Sequence, residues 1–235
     1  KPYQHARRVL RTAGLGPPVV SRPVTQCKSV DEVFEHSLTR FGGGYLKRFY
    51  LILREVMRRK IPLVVSVAGP VSLSDQHRGW LIPLLQSGRV MYVSIAGAIA
   101  YHDGHDSLRK FEERPIREVD LWGDDAGYRK AGIIRVTDLG FKEQVLFDQD
   151  RMVSAVLQRP ELQHKMTTTE FHHHLGRYYE AQEEKFGVRP GLMSTCAELD
   201  IPVFCGAPAD TSTFLGSVKL YALAKLGGKK YKFDF

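Results

Sequence analysis

Tyr101, His102, Asp103, His105 and Asp106 crowd into one short stretch of the chain. Imidazoles and carboxylates at that spacing could share a metal ion through i, i+3 geometry, or could form hydrogen bonds to a polar ligand. Two further segments end in chemistry-bearing side chains: Ser72, Ser74 and Asp75 follow Ala68-Gly69-Pro70, and Asp210, Thr211 and Ser212 follow Gly206-Ala207-Pro208. In the first stretch the turn is Ala96-Gly97-Ala98. Small residues let a ligand or a helix N-terminus come close to the backbone. Any one such turn is ordinary at a strand-to-helix joint; three with the same pattern point to a shared site.

The elements that must position these groups follow from the same pattern. Each cluster is preceded by a short apolar run, which predicts strands over 63–67, 91–95 and 201–204. Continuous apolar runs separated by helical stretches indicate a mostly parallel, Rossmann-like α/β sheet covered by helices on both faces, whose ligands gather beyond the carboxyl ends of the strands. Helices are predicted over 30–40, capped by Ser29 or Asp31, over 44–59, and over 76–87 with Gly88 as its natural stop. Residues 106–120 look helical and then irregular at Pro115, and 123–132 reads as polar loop. Helical spacing returns over 141–157. A strong helix opened by threonines covers 169–186, and a last helix over 213–226 stops at Gly227-Gly228.

Composition bounds the alternatives. A chain of 235 residues with three cysteines and no CxxC spacing suggests neither a disulfide framework nor a zinc site, and a cytoplasmic setting is expected. The longest apolar runs are short of a membrane span, so no membrane association is expected. Charge is uneven: 13 Lys and Arg stand against 4 Asp and Glu up to Lys60, and 21 against 22 thereafter. A nucleic-acid surface, a targeting arm or the flank of an acidic partner site would each produce that bias. The plainer reading is preferred: Arg54, Arg58 and Arg59 form the solvated face of a helix whose Phe49, Leu51, Ile52 and Val56 face inward. Residues 1–60 are therefore assigned to a basic arm with helices and 61–235 to the Rossmann-like part, within one structural domain.

Three motifs carry less than they suggest. His172-His173-His174 lie about 100° apart on a helix and cannot share one ion, so packing or surface roles are favoured. Cys205 could be a nucleophile beside a strand end, although a small buried hydrophobe is the more ordinary role. GxSxG, Walker and GxGxxG patterns are absent from the sequence.

Four segments in order, 81–103 (LIPLLQSGRVMYVSIAGAIAYHD), 131–138 (AGIIRVTD), 169–176 (TEFHHHLG) and 201–216, resemble the deoxyhypusine synthase family, in particular its bacterial deoxyhypusine-synthase-like branch. The resemblance runs from about Val24 to Lys225. It implies an NAD enzyme, usually a homotetramer with active sites between paired subunits, that removes hydride from a polyamine, cleaves it to an aminobutyl imine and transfers that group to an amine. The acceptor is a protein lysine in deoxyhypusine synthases and putrescine in homospermidine-forming relatives.

Carried over residue by residue, the resemblance implies nucleotide contacts at Gly69, Ser72 and Ser74, although Pro70 and Val71 replace polar residues expected there. It implies contacts also at Gly97, His102 and Asp103 after the second strand, with His102 as the candidate catalytic group. Asp210 occupies the aspartate position of the family's Thr-Asp-Gly-Ser segment, with Thr211 and Ser212 beside it as further candidates; Asp210 is the leading cofactor contact, since a carboxylate can accept both hydroxyls of a ribose. Ser217 stands where the synthases carry an acidic residue for a substrate amine. The family continues through a triple-glycine segment and a Ser-Trp-Gly-Lys segment whose lysine forms the imine. No lysine of this sequence lies in such a context, and Lys229, Lys230 and Lys232 sit in a charged run instead. The expectation is a transferase that needs the family's C-terminal half, supplied by a longer chain or a complementary one, with this chain alone inactive and not a stable monomer. The alternative is a noncatalytic subunit that assembles with a complete or complementary chain.

Overall fold

The computed structural model describes residues 18–108, 115–228 and 230–234, with the side chain of Asp210 outside the description. The chain divides between Ile61 and Pro62 into two units.

In the first unit the helix expected over 30–40 is shorter and irregular. Ser29 accepts from the Glu32 N–H and starts one turn at Val30–Glu32, a wider turn follows at Val33–Ser37, and Leu38 leaves helical geometry. Helix α1 (Phe41–Arg58) then begins at Phe41, whose φ of 52° is left-handed. Arg58 and Arg59 lie on its solvated face, both bonded to Glu55. Phe49 and Ile52 do not face inward as expected: they are 63% and 55% exposed.

The second unit is built on three parallel strands in the order β1 (Leu63–Val67), β2 (Val90–Ile95), β6 (Val203–Cys205), with β2 central. Alternation along the strands sends Val67, Val93, Ile95, Val203 and Cys205 into the core. There they meet Leu81, Leu85, Phe171, Leu175, Tyr179 and Met193 from the surrounding helices. On the other face, Val64 pairs with Tyr92 and Ser94 with Phe204. The Val64 and Phe204 side chains remain 49% and 45% exposed.

After β1 the chain passes through Gly69 at φ +71° to a wide helical turn at His77–Leu81 that tightens into α2 (Ile82–Gln86) and ends at Gly88 with φ +67°. Helix α3 (Gly97–Asp103) follows β2 directly. A small antiparallel sheet comes next, with strand order β3 (Arg117–Glu118), β5 (Leu139–Lys142), β4 (Ile133–Val136). Its hairpin turns on Thr137 at φ +56° and Asp138, so it lacks the glycine that announces such turns. The 123–132 segment, expected as loop, contains α4 (Asp125–Lys130), started by Asp124, whose side chain accepts from the Ala126 N–H. Only the later part of 141–157 is helical, as α5 (Gln144–Leu157).

Helix α6 (Thr168–Phe186) is capped by Thr167 and closed by Gly187 at φ +66°. A further helix, α7 (Leu192–Glu198), starts at Gly191, whose N–H is bonded to Ser194 Oγ. Helix α8 (Ser212–Gly227), capped by Thr211, is apolar on all sides and ends at Gly228 with φ +71°. Helices usually carry one apolar stripe; here Phe214, Leu220 and Ala224 are buried while Leu215, Val218, Leu223 and Leu226 stay exposed. No helix among the described residues is long and apolar enough to cross a membrane.

Candidate functional site

Parallel pairing puts the carboxyl ends of β1, β2 and β6 side by side, so the three small-residue turns become neighbours. Ala68, Gly69, Ala96, Gly206 and Ala207 are exposed there, and a Cβ added at Gly69 or Gly206 would meet nothing within 4 Å. Gly97 has a different reason to be glycine. An added Cβ would lie 1.7 Å from Thr211 Cγ2, so the start of α3 packs directly against the cap of α8. Thr211 is correspondingly buried, with Oγ1 accepting from the Phe214 N–H at 3.2 Å.

Beside this junction α3, α5 and α8 enclose a cavity of about 430 Å³ lined by Ala98, Tyr101, His102, Leu146, Phe147, Asp150, Ser154, Ser212, Leu215, Gly216 and Lys219. Of the expected residues, His102 and Ser212 meet here. His102 Nδ1 lies 2.9 Å from His105 Nε2, a contact that needs one N–H and one lone pair, so at least one of the two rings is neutral. Burial lowers the pKa of His102, which favours its neutral form. The buried Tyr101 hydroxyl donates to Asp150 Oδ1 at 2.7 Å and approaches Leu146 O at 3.0 Å. Burial, and then Asp150, raise the Tyr101 pKa, keeping the phenol protonated.

Other expected contacts are spent inside the protein. Ser72 is buried and donates to Ile99 O at 3.3 Å, and Ser74 donates to Val71 O at 3.3 Å. Asp103, expected at the cofactor, has its carboxylate engaged within the protein. It is buried, and its two oxygens accept from the Leu192 and Met193 N–H groups at 2.9 and 2.8 Å, capping α7. Charge at a helix start with two backbone donors is a strong anchor. Gly191 must be glycine for this approach, since an added Cβ would sit 2.7 Å from Asp103 Oδ2. The Asp210 backbone closes the single turn Pro208–Asp210 just before α8; its side chain lies outside the description, as does all of Lys229.

Around Asp103 is a polar clamp that the sequence did not announce. Arg78 bonds Asp75 and Asp106, each at 2.7 Å, and holds Arg189 O and Pro190 O at 3.0 and 2.9 Å. Burial works to lower the Arg78 pKa but is outweighed by Asp75, Asp106 and Asp103, so the net shift is upward. Glu183 accepts from the Gly191 N–H at 3.1 Å and from Ser107 Oγ at 3.2 Å. Burial first, and then Asp103, push its pKa up to about 7 against the hydrogen bonds of Ser194 and Gly191. His77 Nε2 lies 3.6 Å from Asp103 Oδ1, and burial lowers the His77 pKa despite that carboxylate. The clamp ties the loop after β1, the end of α3 and the α6–α7 joint into one block behind His102.

The remaining motifs resolve as packing. His172 is buried with Nδ1 2.9 Å from Val203 O, and the thiols of Cys196 and Cys205 are buried. Burial and Asp103 push the Cys196 pKa up to about 12. Among the described residues no group of three or more His, Cys, Asp or Glu is arranged to hold a metal ion. Asp150 and Lys219 went unremarked in the sequence, where each is one charge in a helical pattern; only the crossing of α5 and α8 brings them to the cavity of His102.

A parallel sheet with small-residue turns over its carboxyl ends defines an α/β fold of the Rossmann type. The chain belongs to the deoxyhypusine synthase family, whose model, described as deoxyhypusine synthase, matches residues 33–235. It is 28% identical over 202 residues to a deoxyhypusine synthase-like protein of Nostoc punctiforme, covering 84% of this chain and 50% of that one. A deoxyhypusine synthase-like protein of Thermosynechococcus vestitus is 28% identical over 219 residues, covering 90% and 52%. The chain thus spans about half the length of the curated relatives it matches. A crystal structure assigned as a deoxyhypusine synthase of Entamoeba histolytica shares the fold, with a TM-score of 0.54 over 92% of this chain and 72% of that one at 11% identity.

Proposed function

We propose that this chain is the nucleotide-binding part of a deoxyhypusine-synthase-like transferase that moves an aminobutyl group from a polyamine to a protein lysine or to putrescine. The observation that carries the reading is the family match over residues 33–235. The meeting of His102 and Ser212 in one cavity near the strand ends supports it. The cofactor proposed is NAD, which when bound supplies the acceptor for hydride leaving the carbon beside a polyamine nitrogen. The open backbone at Gly69 and Gly206 fits a dinucleotide that must approach strand ends closely, and Thr211 and Ser212 start the helix facing it.

The chain's own residues have separate tasks in this reading. His102, neutral and in the tautomer that donates its Nδ1–H to His105 Nε2, has the Nε2 lone pair to take a proton from a substrate ammonium, while Tyr101 stays protonated and Leu146, Phe147 and Leu215 supply apolar walls. Activity is proposed for an assembly, either a homotetramer of the family's kind or a complex with a chain carrying the imine-forming lysine. A noncatalytic subunit is the second reading. It is favoured by the internal use of Ser72, Ser74 and Asp103, groups that a nucleotide site would otherwise offer.

Calorimetry with NAD separates the two readings. The assembly should bind NAD, and Asp210→Ala should weaken binding by about 1.5–3 kcal/mol, the range for losing a charged hydrogen-bond partner. An assembly that takes up no NAD supports the noncatalytic subunit.

A further inference from the structure

Inside the His102 cavity is a carboxylate with no cation of its own. Asp150 projects from α5, half-buried, with Oδ1 held by the Tyr101 hydroxyl at 2.7 Å. Among the described residues no lysine, arginine or histidine comes within ion-pair distance of it. Lys219 lines the same cavity, but it and Ser154 also line the adjoining groove of about 530 Å³ between α5 and α8, so they mark the rim between the two spaces. Asp150 lines only the first.

The surroundings of Asp150 select the chemistry of what it meets. Ala98, Leu146, Phe147 and Leu215 present apolar surface on either side, and His102 adds no positive charge when neutral. A neutral or anionic ligand would leave the carboxylate partly desolvated and uncompensated, which is unfavourable. An alkylammonium satisfies both features at once, with methylenes against the apolar walls and a charge-assisted hydrogen bond at the end. We propose that Asp150, oriented by Tyr101, is the subsite for an ammonium group of the polyamine, whose methylene chain runs along Leu146, Phe147 and Leu215. The inference rests on the polyamine reading above and adds the residue that recognises the amine. Tyr101 is a positioning residue: it holds Oδ1, which leaves Oδ2 for the ligand.

The test is calorimetry with spermidine and, separately, NAD on the chain purified in its native assembly, as wild type, Asp150→Asn, Tyr101→Phe and Asp148→Asn. Asp148 lies on the same helix but outside this cavity and controls for loss of general negative charge. Asp150→Asn should weaken spermidine binding about tenfold or more and leave NAD binding unchanged, which also reports an intact fold. Tyr101→Phe should produce a smaller loss, and Asp148→Asn none. The subsite is overturned if Asp150→Asn binds spermidine like wild type, if Asp148→Asn weakens it equally, or if the wild type takes NAD but no polyamine. Wild type that binds neither ligand overturns the transferase reading together with the subsite.

Discussion

At the scale of single residues the clamp behind His102 carries a measurable pH signature. Glu183 has its pKa pushed up to about 7 in the folded chain, by burial and then by Asp103, from an ordinary value of 4.5. For an acid with a raised folded pKa, the folded state holds the proton more tightly than the unfolded one. Stability is therefore unaffected below about pH 4.5, declines as pH rises through the interval to about 7, and is fully reduced above it, by about 3 kcal/mol. Glu183→Gln keeps an oxygen for the Gly191 N–H and removes the titration. Urea denaturation of the variant should show the decline over this interval reduced by about that amount; an unchanged slope would mean that the carboxylate is solvated. That His102 and Ser212 line one cavity was foreshadowed in the sequence, since each follows a small-residue turn. The helix cap that Asp103 provides was not legible, because its partners, the backbone of Leu192 and Met193, are distant in sequence and carry no side-chain signal. Asp150 was illegible for the same reason: the fold, not its neighbours in sequence, gives it Tyr101.

Among the elements, close crossings rather than individual contacts hold the second unit in register. Helices α6 and α7 meet at Gly176, where an added Cβ would stand 2.3 Å from Met193 O and 2.8 Å from Ala197 Cβ. Because the obstacle includes backbone, no rotamer change relieves it. Gly176→Ala should destabilise the chain by about 1–3 kcal/mol even though alanine is the better helix former, and the denaturation midpoint should fall accordingly. A midpoint that rises would show that the helices can separate freely. The three parallel strands and the helices of residues 168–186 and 212–227 were readable from apolar runs, threonine caps and terminal glycines. The β4–β5 hairpin was not, because Thr137 takes a left-handed conformation without glycine. Helix α7 was hidden by its short length and its Pro-Gly start, and its stability comes from a cap supplied by Asp103.

At the scale of the whole molecule, unsatisfied surfaces fit a chain that works in company. One face of the parallel sheet leaves Val64 and Phe204 partly exposed, and α8 presents Leu215, Val218, Leu223 and Leu226 outward. Covering several hundred Å² of such surface at about 25 cal/mol per Å² is worth several kcal/mol, comparable to the net stability of a domain. These surfaces are where we place the assembly contacts of the proposed transferase. The charge asymmetry of the sequence did not foretell them; on α1 the basic Arg54, Arg58 and Arg59 are matched to Glu35 and Glu55. The proposed NAD-linked polyamine chemistry is read out by the near-ultraviolet absorbance of NADH when the native assembly is mixed with NAD and spermidine or putrescine. The wild type should form NADH only when polyamine is present, and His102→Gln should form none. Bound NAD and bound polyamine with no NADH formed would contradict that chemistry.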